Sequence, residues 1–341
     1  SSSSCPVEED WSGFVPQSLT GYGSDDIVEI CLDNGVATNI GSNESDDRKR
    51  QSILRISNVT SLALCDMMGL ANGNFDATGN RVWLGAYLFL HFFGRRDTCM
   101  HLHQPTSELI TSVEKEESLS PSQMDMSNQI SKLRQLLFRN RTVVELGCGT
   151  GVSGLSLLKS QHDCPKSLHL TDCDETSIDL CRKNCEENVS YDGSSCINLC
   201  TFELLKWRID YGDTSTCECA GNVYDTVIAT DVLYDLASLK PLMHTASALL
   251  EASGYFVLSH VPRACIEGND SGVSSSKLLE ECICKKARSS GFGDASILRP
   301  EMIIDAGIGS TNCDELLQEM KESGAAILIF KKMSIHDEAL Y

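Results

Sequence analysis

Hydrophobic and polar residues are patterned in two ways along this chain, and the change falls near residue 140. In the first part apolar runs are sparse. Residues 27–32 and 51–58 read as strands, and residues 81–93 as a buried helix with few polar positions. Residues 94–121 are polar and irregular, with no sustained period, which predicts an exposed insertion. Ile130, Leu133, Leu136 and Leu137 then recur at spacings of three and four, the mark of one apolar helix face. Beyond Asn140, strands are expected at 142–146, 167–171, 196–202, 224–230, 254–260 and 325–331. Helices are expected between them, at 152–160, 175–188, 239–251 and 277–288, with Ile178, Cys181, Cys185 and Val189 turned to the core. Such alternation predicts an α/β fold, a mostly parallel sheet with helices on both faces. The earlier strands and helix form an N-terminal β/α extension on it.

Composition narrows this picture. At 341 residues and 41% hydrophobic content the chain can bury a large core. Residues 1–50 are rich in Ser, Gly, Asn and Asp and end in the charged run 44–50, so they read as a flexible N-terminal region with one strand. The main domain is then 51–341, carrying the 94–121 insertion. The most apolar stretch, 82–93, is about half the ~20 residues of a membrane-spanning helix, so no membrane partner is expected. The start has no initiating Met and no basic or apolar secretory region, which points to a cytoplasmic protein, also nuclear.

A net charge of −20 argues against nucleic-acid binding, which needs cations to neutralise phosphates. It suits attraction of a basic protein or peptide, or serves solubility alone. Seventeen cysteines without a secretory signal read as reduced thiols. The clusters Cys99 with His101 and His103, Cys217 with Cys219, and Cys282 with Cys284 supply at most three of the four ligands of a structural zinc, so no metal is expected.

The densest chemical signal is Val143-Val-Glu-Leu-Gly-Cys-Gly-Thr-Gly151, an apolar strand running into a glycine turn and then a helix. A turn of this kind lets backbone approach a ligand closely. Gly149, Gly151 and Gly154 also satisfy the Gly-x-Gly-x-x-Gly dinucleotide pattern, which keeps an NAD-dependent dehydrogenase open. Asp172, ending the next strand, suits ribose hydroxyls in either case. Glu145, two residues before the first glycine, suits a cationic ligand better than a pyrophosphate.

Glu145 to Gly151 resembles the first motif of the seven-strand, class I S-adenosylmethionine-dependent methyltransferases. Three further segments are similar to one branch, the protein-lysine methyltransferases related to the valosin-containing-protein and Hsp70 lysine enzymes. These are Thr78-Gly-Asn-Arg-Val-Trp83, Glu203-Leu-Leu-Lys-Trp207 and Asp231-Val-Leu-Tyr234. The resemblance spans roughly residues 75–260 and implies a Rossmann-like sheet of seven strands with S-adenosyl-L-methionine as cofactor. It implies that Gly147, Cys148, Gly149 and Gly151 line the cofactor, with Asp172 on its ribose and Trp207 by the adenine. Trp83 would close the pocket, and Thr230 stands where relatives often have Ala.

Asp231 and Tyr234 follow the fourth strand at the edge where open α/β sheets bind ligands. Here Asp231 is expected to orient an incoming amine and Tyr234 to wall its channel, the pair forming the catalytic group. Their plain alternatives are a helix cap for the turn near Leu236 and half-buried packing. The implied activity is N-methylation of lysine in a protein substrate, basic or of the chaperone or ATPase type. Related branches keep a protein histidine or a small amine open as acceptor, and a catalytically inert cofactor-binding interaction protein is the alternative outside enzymes.

Overall fold

The structure, a computed structural model, describes residues 27–31, 36–37, 53–57, 82–94, 121–159, 164–192, 196–207, 223–262, 275–305 and 314–334. Three short strands, β1 (Ile27–Cys31), β2 (Val36–Ala37) and β3 (Ile53–Ser57), form an antiparallel sheet in the order β2-β1-β3. Because β1 pairs with β3, the boundary expected near residue 50 runs between two partnered strands.

The main sheet has seven strands among the described residues. They are β4 (Thr142–Leu146), β5 (Ser167–Asp172), β6 (Cys200–Leu204), β7 (Tyr224–Thr230), β8 (Leu250–His260), β9 (Ser296–Leu298) and β10 (Ala326–Lys331). Their order is β6-β5-β4-β7-β8-β10-β9. Pairing is parallel from β6 through β8, and β10 lies antiparallel between β8 and β9. The chain first builds outward from β4 to β6 and then returns to lay β7 on the other side of β4. Such a reversal leaves a crevice at the carboxyl ends of β4 and β7.

Alternation along the strands decides the two layers. In β4, Val143 packs into one core cluster and Val144 and Leu146 into the other. The first cluster takes α1 (Leu84–Phe89), the end of α2 (Pro121–Phe138), and α3 (Val152–Leu158) and α4 (Glu175–Asp192). The second takes α5 (Leu239–Leu249) and α6 (Ser275–Arg288). Two short helices complete the chain, α7 (Pro300–Asp305) and α8 (Asp314–Glu322), and Leu317 and Met320 of α8 join the first cluster.

The rings of Phe89, Phe93 and Phe138 meet at centroid distances of 5.1 to 6.0 Å and are buried. Each is worth roughly 1.5–3 kcal/mol in removed apolar surface. They fasten α1 and the residues just after it to the end of α2.

Four local expectations change. The helix expected over 81–93 runs from Leu84 to Phe89 and then widens into a π turn, Leu90–Gly94, buried throughout. Leu136 is 43% exposed, because the buried stripe of α2 runs through Arg134, Leu137 and Phe138 and turns Leu136 outward. The strand expected over 196–202 begins as a 3₁₀ turn, Cys196–Leu199, before β6. The helix expected to reach 251 stops at Leu249, since Leu250 is extended and already pairs with Tyr224. β9, α7 and α8 were not legible in the sequence pattern. Val189 and the 94–121 insertion, its two end residues apart, lie outside the described side chains and residues. No helix among the described residues is long and apolar enough to cross a membrane.

Candidate active site

β4 delivers the chain to the crevice, where Gly147, Gly149 and Gly151 take φ of 69°, 51° and 78°. At Gly147 the requirement is also spatial: a Cβ would lie 2.7 Å from Val232 Cγ1 and 3.4 Å from Trp207 Cζ2. Backbone bonds brace the turn, with Cys148 N–H donating to Thr171 O at 2.9 Å and Gly151 N–H to Cys148 O at 2.7 Å. Asp172 closes it from β5, its Oδ2 accepting from Gly149 N–H at 3.0 Å and its Oδ1 from Asp174 N–H at 3.1 Å. Burial raises the Asp172 pKa, against those N–H groups, which lower it.

Beneath the turn, Glu145 is fully buried. Its Oε2 accepts from Gly154 N–H at 3.0 Å, and the Thr230 hydroxyl also lies toward the carboxyl. Gly154 is needed for this approach, because a Cβ there would stand 2.6 Å from Glu145 Oε2. Burial pushes the Glu145 carboxyl up to about 8, opposed by Gly154 N–H and assisted by the charge of Asp172. Burial also raises the Cys148 thiol, as does its contact with Cys181.

Above the turn lies a cavity of about 480 Å³, within the range of small-molecule sites. The glycine turn gives Gly147, Cys148, Gly149 and Thr150; β5 gives Asp172; the segment after β6 gives Lys206 and Trp207. Opposite stand Thr230 and Val232 at the end of β7, Tyr234 beyond them, and Trp83 and Ala86 at the head of α1. The Trp83 and Tyr234 rings meet edge to face with centroids 6.4 Å apart. Thr230 Oγ1 is hydrogen-bonded to Ser153 Oγ at 3.0 Å.

The expected residues therefore converge, with three exceptions. Glu145 and Gly151 support the turn from behind without lining the cavity. Asp231 is also off the wall, 3% exposed, at φ 57°. Its Oδ2 accepts from Gly85 N–H at 2.8 Å and its Oδ1 from Val261 N–H at 3.1 Å. Ser259 Oγ donates to Gly85 O at 2.6 Å, so both backbone groups of Gly85 are held from the sheet edge. Through these bonds Asp231 ties α1, and with it Trp83, to the end of β7. The capping duty near Leu236 belongs to Asp235, which accepts from Ala237 N–H at 3.0 Å.

Sequence reasoning missed Val232 and Lys206 as lining residues, although both sit inside motifs it had singled out. Ala86, Ser177 and Pro241 also line the cavity and carry no local signal. Of the segment before Trp83, residues 78–81 lie outside the described residues.

A family model described as lysine methyltransferase matches residues 72–271. The mouse protein-lysine N-methyltransferase EEF2KMT is 30% identical over 98 residues, covering 28% of this chain and 29% of that protein. The hybrid PKS-NRPS synthetase iccA of Talaromyces variabilis is 26% identical over 163 residues, 46% of this chain and 4% of that one. The chain thus spans less than a third of the length of either relative. Among solved structures, a methyltransferase from Pyrococcus furiosus aligns at 14% identity over 61% of this chain and 83% of its own, with a TM-score of 0.37. A TehB-like S-adenosylmethionine-dependent methyltransferase from Corynebacterium glutamicum aligns at 13% identity over 62% and 87%, also with a TM-score of 0.37.

Proposed function

Since the chain belongs to the lysine methyltransferase family, whose model matches residues 72–271, we propose that it uses S-adenosylmethionine to methylate a lysine side chain of a protein. The observation that carries this reading is the cavity at the strand reversal, with a carboxylate on the β5 side and an aromatic pair on the β7 side.

The residues present fit the cofactor. Asp172 offers carboxylate oxygens for a ribose diol, Trp207 an aromatic face for adenine, and the glycine turn an unobstructed backbone for the amino-acid end. Glu145, buried beneath the turn, supplies a compensating charge once a cation lies above it. The bound cofactor supplies a methyl group activated by a sulfonium.

The protein has to deliver a neutral amine to that group. A free lysine, with a pKa near 10.4, is almost wholly a cation at neutral pH and has no lone pair for attack. On the β7 side the wall is made by Trp83, Ala86, Val232 and Tyr234, which desolvate an entering ammonium and lower its pKa. Of the described lining residues only Asp172 is acidic, and it stands on the opposite side, so deprotonation rests on desolvation rather than on a dedicated base. Tyr234, 39% exposed, forms the outer wall and faces the lysine stem, a contact worth about 0.5–2 kcal/mol for a cation over a ring. Alignment of amine and methyl then supplies the larger share of the rate, up to roughly 7–11 kcal/mol.

Incubating the protein with methyl-labelled S-adenosylmethionine and a cell lysate tests this, with the labelled residue identified by mass spectrometry. Label on a protein lysine is the expected result. Label on histidine or on small amines moves the acceptor to those classes, and cofactor binding without transfer leaves an inert binding protein.

A further inference from the structure

One buried face of α4 carries two asparagines, Asn184 and Asn188, each at most 4% exposed. Asparagine is a poor helix-interior residue because its amide competes for backbone bonds. Here each amide pairs with one residue of a strand edge, and Asn188 Nδ2 also donates to Asn184 O at 2.8 Å within the helix. Asn188 Oδ1 accepts from Arg55 N–H at 2.9 Å and its Nδ2 donates to Arg55 O at 2.6 Å. Asn184 Oδ1 accepts from Ser57 N–H at 2.7 Å and its Nδ2 donates to Ser57 O at 3.1 Å. The spacing makes the match possible: four helix residues rise about 6 Å, and two strand residues advance about 6.6 Å. The two amides act as a substitute strand along the free edge of β3.

Asn184 does one thing more. The second hydrogen of its Nδ2 goes to Thr150 O at 2.9 Å, and Thr150 is 2% exposed, within the glycine turn, and lines the cavity. One turn earlier on the same face, Cys181 packs beneath Gly151, where an added Cβ would meet its Sγ at 2.4 Å. The N-terminal sheet, α4 and the glycine turn therefore share one fully hydrogen-bonded side chain.

We infer that Asn184 is a positioning residue for the cofactor, holding the Thr150 carbonyl of the glycine turn against the N-terminal strand β3. This rests on the reading of the cavity as the S-adenosylmethionine site. Asn188 provides the comparison, since it secures the same strand without touching the turn.

The test compares wild type, Asn184→Ala and Asn188→Ala by calorimetric titration with S-adenosylhomocysteine, by thermal melting and by steady-state kinetics on the labelled substrate. Both variants lower the melting temperature. Asn184→Ala weakens S-adenosylhomocysteine binding by about tenfold, the loss expected when a buried carbonyl gives up its partner. It raises the cofactor KM to match while kcat and the acceptor KM stay near wild type. Asn188→Ala binds within about twofold of wild type, because the contact with the turn remains. If Asn184→Ala cannot be purified folded, Asn184→Asp, which keeps the acceptor for Ser57 N–H and loses the donors to Ser57 O and Thr150 O, is read the same way. Equal affinity in wild type and the Asn184 variant overturns the inference, as does an equal loss in both variants. A wild-type protein that does not bind S-adenosylhomocysteine overturns the reading of the cavity beneath it.

Discussion

Glu145 shows how a single position acquires chemistry that its residue type does not announce. Its carboxyl is raised from the ordinary value of 4.5 to about 8, chiefly by burial. Between those values the folded protein holds a proton that the unfolded chain has released. The stability this group contributes is complete below about pH 4.5 and is lost as pH rises through about 8. Glu145→Gln keeps an acceptor for Gly154 N–H but has no proton to lose. Thermal melts of the cofactor-free protein from about pH 5 to about pH 8 are expected to fall for wild type, and the variant is expected to gain on wild type across that range. Parallel curves would mean that Glu145 is ionised throughout. In the sequence, an acid two residues before a glycine turn was legible as a charge under a ligand. Its protonation was not, because desolvation depends on what packs over it, here Gly154, which a side chain would push away.

At the scale of elements, the helix that carries Trp83 has almost no capping of its own. The residue before it, Trp83, makes no side-chain cap bond, and the second N–H of the helix is taken by Asp231 from 146 positions away. Gly85 is required there, because a Cβ would lie 2.8 Å from Asp231 Cγ. Asp231→Ala leaves the N–H groups of Gly85 and Val261 buried without their acceptor, a cost of about 1–3 kcal/mol each. Denaturant unfolding is expected to show about 2–4 kcal/mol of lost stability, with methyl transfer reduced alongside it as Trp83 loses its place against Tyr234. Wild-type stability with abolished transfer would give Asp231 the amine-orienting role instead. The motif Asp231-Val-Leu-Tyr234 marked the right strand end and the right wall residue, Tyr234. It gave no sign of the bond from Asp231 to Gly85, since nothing local says that this side chain reaches another helix. Element ends failed for a related reason: Leu249 ends a helix where apolar periodicity continues, because Leu250 has a strand partner in Tyr224.

Over the whole molecule, the charge of −20 is a long-range field rather than a contact, and a basic acceptor, if that is the substrate, would be drawn in by it. Salt is the lever. From about 0.1 M to about 1 M the screening length falls from about 10 Å to about 3 Å. A basic peptide acceptor is expected to show a KM rising several-fold over that range in steady-state assays, while the cofactor KM changes little. An acceptor KM that ignores salt would leave the charge a role in solubility alone.

Strand and helix alternation after Asn140, the glycine turn and Asp172 at a strand end were readable along the chain, because each is a pattern of neighbouring residues set by backbone period or by turn geometry, whereas Trp83 and Trp207 were singled out only by resemblance to a family. The order β6-β5-β4-β7-β8-β10-β9, the tether from Asp231 to Gly85 and the bridge from Ser57 through Asn184 to Thr150 arose only on folding. The tether and the bridge join positions 34 to 146 residues apart. A contact over such a distance leaves no period in the intervening chain, so it takes the packed sheet and its helices to select it.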